Sequence, residues 1–304
     1  MTAPSLVSFN RAGSSLARPT FKGALRGELY KLRRNRPTVV MAGLGLVFLT
    51  LIMLLFASEP QYQVSLTHHP LVGFYMLLHP LELIFTAGAG IALLLTGSRL
   101  LGMEFDLGTV RVLFSRGTGR QQLLAAKIAA LGLYALLLLV GFTALSALGT
   151  VVVVQHQTGS LSALQDLPVA AWESVGLAIL SCAISEFSCV LLAVAMAALL
   201  RSAAGGMLLA VLFFPIDNAL SIALSQLTVT TKSNLWKDAT AFLYGPNLNH
   251  LPTLLQVHQS AALSTLSVPS VPTSLTEATV VIGAWWLVLV VVAMASLGRR
   301  DVLS

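Results

Sequence analysis

Residues 123–154 read LLAAKIAALGLYALLLLVGFTALSALGTVVVV. One charge, Lys127, and no proline interrupt the run, and its apolar residues fall on every side of a helical wheel. A helix that is apolar all round is surrounded by other apolar matter, and crossing a bilayer takes roughly 20 such residues. This run is long enough to cross with tilt or to extend beyond the lipid. Five further stretches share its character: residues 38–57, opened by Pro37 and closed by Glu59-Pro60; 77–98, stopped by Arg99; 171–200, stopped by Arg201; 203–227, with Pro215 inside; and 276–297, stopped by Arg299-Arg300. They are continuous and not alternating, which argues against a transmembrane barrel. The fold class read from them is an all-α polytopic membrane protein with six transmembrane helices.

Composition agrees. Of 304 residues, 56% are apolar and 10% charged, against roughly 25% charged in an ordinary soluble domain. The mean hydropathy is +0.83. So much apolar surface cannot be hidden inside one water-soluble core of this size, and a soluble enzyme, a disordered chain and a disulfide scaffold are excluded. Cys182 and Cys189 lie in one apolar run, about 10 Å apart along a helix axis. That is too far for a bridge, and they read as small buried side chains.

The net charge of +6 comes from 18 Lys and Arg against 12 Asp and Glu. The basic residues sit in short tracts beside the apolar runs, as cytoplasmic flanks of membrane spans do, and no nucleic-acid partner is expected. Eight precede the first stretch; Arg99, Arg111, Arg116, Arg120 and Lys127 separate the second from the third; Arg201 separates the fourth from the fifth; Arg299 and Arg300 follow the sixth. Only Lys232 and Lys237 fall on the other side. The bias predicts six spans with both termini cytoplasmic.

Residues 1–37 are read as a cytoplasmic N-terminal segment and residues 38–304 as the six-span domain. The first twenty residues hold Arg11 and Arg18 but no apolar core, so no signal peptide is expected there, and little regular structure. Over residues 21–36, Phe21, Leu25, Leu29 and Leu32 share one helical face, with Lys22, Arg26 and Arg33 elsewhere on the wheel. That predicts a basic amphipathic helix in the interface with membrane lipid, ended by Pro37. An unstructured basic flank is the plainer alternative. The outer segment, residues 228–275, contains Pro246, Pro252, Pro269 and Pro272 and is too long for a turn. Short helices that dip into or cap the outer leaflet are expected there.

None of the five lysines follows a glycine, so the Gly-Lys-Ser/Thr of a phosphate-cradling loop is absent. Any ATP-driven work needs another subunit, and no catalytic residue or cofactor is expected in this chain. The loop after the second stretch reads GMEFDLGTVRVLFSRGTGR over residues 102–120. Its acidic start and Gly108-Thr109 suit a short helix with Thr109 as N-cap and with Val110, Leu113 and Phe114 on one face. Such a helix is a lever for a partner; an ordinary basic loop is the alternative.

This stretch resembles the signature of ABC transporter permeases of the exporter-like second type. Glu104, Gly108, Thr109, Ser115, Arg116, Arg120 and Lys127 occupy the matching positions. Residues 28–34, ELYKLRR, resemble that family's elbow helix, and Arg201-Ser202-Ala203 fits between the fourth and fifth spans. Gly117-Thr118-Gly119 departs from the pattern, where relatives often carry a Pro before the second Arg. The resemblance covers nearly the whole chain. It implies a permease subunit of an ABC exporter in the bacterial plasma membrane, paired with a second copy or a similar chain. Each half would sit on an ABC ATPase subunit, which would hold the ATP and Mg. Residues 104–121 would form the coupling helix, with Glu104, Asp106, Gly108, Thr109, Arg111, Ser115, Arg116 and Arg120 as its ATPase-coupling residues. Closure of the ATPases would rock the two halves and export or flip the substrate. A self-powered secondary transporter would need mid-membrane ion-coupling residues and paired repeats, and an intramembrane enzyme would need a convergent catalytic motif; neither is evident in the sequence.

Glu82, Glu186 and Asp217 each fall roughly 22–26 Å along a helix from the cytoplasmic basic layer. Two readings stand open. They form an acidic vestibule on a substrate path for cationic or amphipathic cargo, with Pro215 and Asn218 at a helix kink; or Glu82 is interfacial and the others are neutralised by local hydrogen bonds. His68, His69 and His79 with Glu82 suggest a metal, but a helix start at His79-Pro80 is the plainer reading, and no metal site is expected. Gly88 with Gly90, and Gly205 with Gly206, suggest close helix packing.

Overall fold

The computed structural model describes residues 20–115, 119–255 and 267–298. Expectations for residues 1–19, for Arg116, for residues 256–266 and for Arg299-Arg300 lie outside them. Among the described residues every regular element is a helix, and six helices are long and apolar enough to cross a membrane.

The chain begins with α1 (Phe21–Arg34), capped by Thr20, whose hydroxyl accepts the Gly23 N–H at 3.2 Å. Pro37 does not end this helix, contrary to expectation. α1 stops at Arg34, Asn35 is extended, and Pro37 lies in the first turn of α2 (Arg36–Ser58). A first-turn N–H has no helical partner, so proline costs nothing there. The elbow and the first span therefore meet at a one-residue joint. α3 (Pro60–His68) follows and packs Tyr62 and Leu66 against Leu49, Met53 and Leu77.

α4 (Pro70–Asp106) is longer than the sequence suggested. It starts at Pro70 and carries Pro80 in its interior, so His79-Pro80 is not its beginning. A membrane helix tolerates the lost hydrogen bond where neighbours hold it. Here Tyr75, His79 and Leu81 are buried around the proline, with the His79 ring stacked 5.4 Å from that of Tyr75. Gly108 closes α4 in the left-handed region at φ 66° and turns the chain directly into α5 (Thr109–Ser115). Thr109 is thus the first residue of α5 and not its cap, and its hydroxyl donates back to the Glu104 carbonyl at 3.3 Å.

α6 (Arg120–Thr158), the short α7 (Ser162–Gln165), α8 (Val169–Leu200) and α9 (Ala203–Thr231) continue the bundle. α8 is its centre: 67% of its most apolar stretch is buried, against 11% for α2, which turns outward. Gly102 lets α4 meet α9, because a Cβ there would strike the Ala203 backbone. Gly206 does the same between α9 and Ala197 of α8, whereas Gly88 faces open space. At the end of the bundle opposite α5, α10 (Asn234–Ala239), a 3-10 turn (Thr240–Phe242) and α11 (Tyr244–Leu255) precede the last span, α12 (Leu275–Gly298). These short elements are pinned by aromatics. Tyr244 is fully buried and stacks on Phe214 and Trp285, Trp285 Nε1 donates to the Phe242 carbonyl, and Trp286 Nε1 donates to Ser188 Oγ.

Candidate functional site

At one end of the bundle the helices are joined by charge. Lys127 of α6 is 0% exposed, and its Nζ donates to Glu28 Oε2 at 2.9 Å and to the Leu100 carbonyl at 3.2 Å. It also lies 2.8 Å from Glu104 Oε1. Lys31 of α1 donates to Glu28 Oε1 at 2.7 Å and to Glu104 Oε1 at 2.5 Å. Two carboxylates and two ammoniums alternate in a closed ring that ties α1, α4 and α6 together. A buried charge survives only when paired and hydrogen-bonded, and the ring is balanced. Burial alone would lower the Lys31 pKa, but hydrogen bonds and attraction from Glu104 and Glu28 reverse this and raise it above the ordinary value.

Other ties complete the junction. Asp106, the last residue of α4, accepts the Ala203 N–H at the start of α9 (3.0 Å). An acid at a helix N-terminus satisfies an orphan donor and complements the helix dipole. Arg120 donates from Nη1 to the Gly298 carbonyl at the end of α12 (2.8 Å), and Arg201 donates from Nη2 to the Ser296 carbonyl (2.6 Å).

The predicted coupling residues therefore divide. Glu104 and Asp106 belong to the last turn of α4 and bond to the protein's own helices. Gly108 is the joint, and Thr109, Arg111 and Ser115 are on α5; the side chains of Arg111 and Ser115, and Arg116 altogether, lie outside the described residues. Arg120 begins α6. On α5 Val110 is buried (5% exposed), and Leu113 lines a pocket against α1 and α4. On the elbow Leu32 is buried, Leu25 and Leu29 pack on the core, and Arg26, Arg33 and Phe21 are exposed. Glu28 and Lys127 were not singled out as site residues. Lys127, counted with the loop cations, lies inside α6, because two carboxylates from elsewhere neutralise it.

In the half of the bundle away from the charge ring, a cavity of about 320 Å³ lies between α4, α8, α9 and α11. Glu82, Thr86, Ser185, Phe214, Pro215 and Asn249 are among its lining residues. Glu82 also lines a second cavity of about 180 Å³ between α4, α6 and α8. Asn218 stands behind the first cavity: its amide oxygen accepts from Asn249 Nδ2 at 2.9 Å. Asp217 turns to α11 and accepts the Gly245 N–H at 2.5 Å. Glu186 is 2% exposed and lines neither cavity. Two of the five substrate-path residues thus meet at one cavity, and Asn218 bonds to its wall. Among the described residues no three His, Cys, Asp or Glu gather as for a metal ion.

Compared with known families, residues 24–217 match a family model described as "ABC-2 family transporter protein". No curated protein matches the chain.

Proposed function

The chain belongs to the ABC-2 transporter family, and on that premise we propose that it is the permease subunit of an ABC exporter in the plasma membrane, driven by a separate ATPase that docks on α5. The charge ring is the observation that carries this reading. Glu104 lies one turn before the Gly108 joint, so a push on α5 reaches a residue bonded to both α1 and α6. A short helix hung from so firmly tied a base passes displacement on to its neighbours, as a two-state rocking transition requires. ATP and Mg belong to the ATPase. A second copy or a similar chain completes the pathway, and cargo passes the cavity that contains Glu82 and Pro215.

The test is purification of the tagged chain from its own host. A P-loop ATPase should accompany it, with vanadate-sensitive hydrolysis in the complex. Reversing charge on α5 and beyond it with Arg111→Glu and Arg116→Glu should deplete that ATPase about tenfold, since two exposed charge contacts of about 0.7 kcal/mol each sum to about 1.4 kcal/mol. Arg120 is spared because it ties α6 to α12. Transport by the reconstituted chain alone, indifferent to nucleotide, would establish a self-powered carrier instead.

A further inference from the structure

A pocket of about 560 Å³ opens on the cytoplasmic flank between α1, α4 and α5, and the transport reading makes no use of it. Lys31, Arg34 and Asn35 line one side of it, and Arg99 and Met103 line another. Three cations thus face one carboxylate, Glu104, which already serves Lys31 and Lys127. Arg34 is exposed and gives one nitrogen to the Tyr30 hydroxyl at 3.1 Å. Arg99 is half-buried, and its Nε is buried without a hydrogen-bond acceptor among the described residues. A buried guanidinium donor with no acceptor is costly, and its fork geometry suits a phosphate.

Depth narrows the class. Asn35 is the joint where the chain turns from the elbow into the first span, and Arg99 is where the apolar run of α4 meets its first charge after Glu82. Both mark the headgroup layer of the cytoplasmic leaflet. A phosphate held at that depth is a lipid headgroup, whose acyl chains run from Arg99 back along α4 toward the bilayer centre.

We propose that this pocket binds the phosphate of an anionic phospholipid of the cytoplasmic leaflet, with Arg34 and Arg99 on the phosphate oxygens. The bound lipid bridges the elbow joint to α4 beside the charge ring. The site does not depend on an ATPase, so it is tested on the full-length permease alone.

The purified chain is delipidated in detergent and titrated with phosphatidylglycerol or with phosphatidylcholine of the same acyl chains, and adducts are counted by native mass spectrometry. Phosphatidylglycerol should be preferred, and Arg34→Gln with Arg99→Gln should reduce that preference roughly twenty-five-fold, about fivefold for each cation lost near the surface. Lys232→Gln with Lys237→Gln, at the opposite end of the bundle, should leave it unchanged. Arg34→Gln alone, an exposed position that folding does not need, should still cost about fivefold. Three results overturn the proposal: retention of the preference in both Arg34 variants, equal loss in the Lys232/Lys237 variant, or full competition by inorganic phosphate, which would make this a site for a free anion.

Discussion

At Lys127 a cation is wholly buried and its cost is met by Glu28 and Glu104, partners 99 and 23 positions away in the chain. Removing it leaves two carboxylates sharing Lys31, which is itself 44% exposed. Breaking one member of a buried charge set typically costs about 3–5 kcal/mol, most of it the stranded opposite charge. Lys127→Met should therefore lower the unfolding temperature of the detergent-purified protein markedly. Lys127→Met combined with Glu104→Gln, which keeps the ring neutral, should recover most of that loss. A single variant that melts like the parent protein would show that the ring contributes nothing to stability. The sequence showed part of this site. Glu104 stood out through its place before Gly108-Thr109, but its role differed from the expected one, because its partners come from distant positions that no local spacing reveals. Lys127 was read at the start of the third span and counted with the flanking cations, and its carboxylate partners escaped notice for the same reason. Asp106 was legible as an acid near a helix end, but not as the acceptor for the first N–H of α9.

At the scale of the helix, apolar length and charge stops were enough to find every span, because a bilayer leaves a continuous run little choice but to cross. The helix ends were harder to read. Pro37 opens the first span as read but does not end the elbow helix, and Pro80, read as a helix start, lies inside α4, where only tertiary support distinguishes a tolerated proline from a terminating one. The outer elements α10 and α11 were foreseen only as short helices, since their positions depend on Tyr244, Trp285 and Trp286 meeting from separate segments. Gly102 gives a test of how α4 and α9 are fitted together. Gly102→Ala places a methyl against the Ala203 backbone, which cannot rotate away, and overpacking of this kind costs about 1–3 kcal/mol. It also disturbs the Asp106 bond to Ala203 one turn on. Gly88→Ala adds the same methyl where nothing lies within 4 Å. The first variant should melt several degrees lower and the second should match the parent; equal melting of the two would mean that α4 and α9 do not meet at Gly102.

Across the whole molecule the two ends are held by different physics. One end is fastened by ions: the four-charge ring, Asp106 on α9, and Arg120 and Arg201 on α12. The opposite end is fastened by stacked rings and hydrogen bonds such as Asn249 to Asn218 and Trp286 to Ser188. A rocking subunit needs a stiff end on which force is applied and an end whose contacts exchange at lower cost, and this asymmetry supplies both, provided that the ionic end faces the cytoplasm. That orientation is testable without a cysteine-free background, because Cys182 and Cys189 are only 4% and 7% exposed and both lie within α8. In intact cells an impermeant maleimide should leave the parent protein unlabelled. The Leu235→Cys variant, at a position 67% exposed on α10, should label at once. The Arg26→Cys variant, on the exposed side of α1, should label only after the membrane is opened. The reverse pattern would place the charge ring outside, out of reach of any cytoplasmic ATPase, and the proposed coupling through α5 would fail with it, whereas the six-span fold would stand.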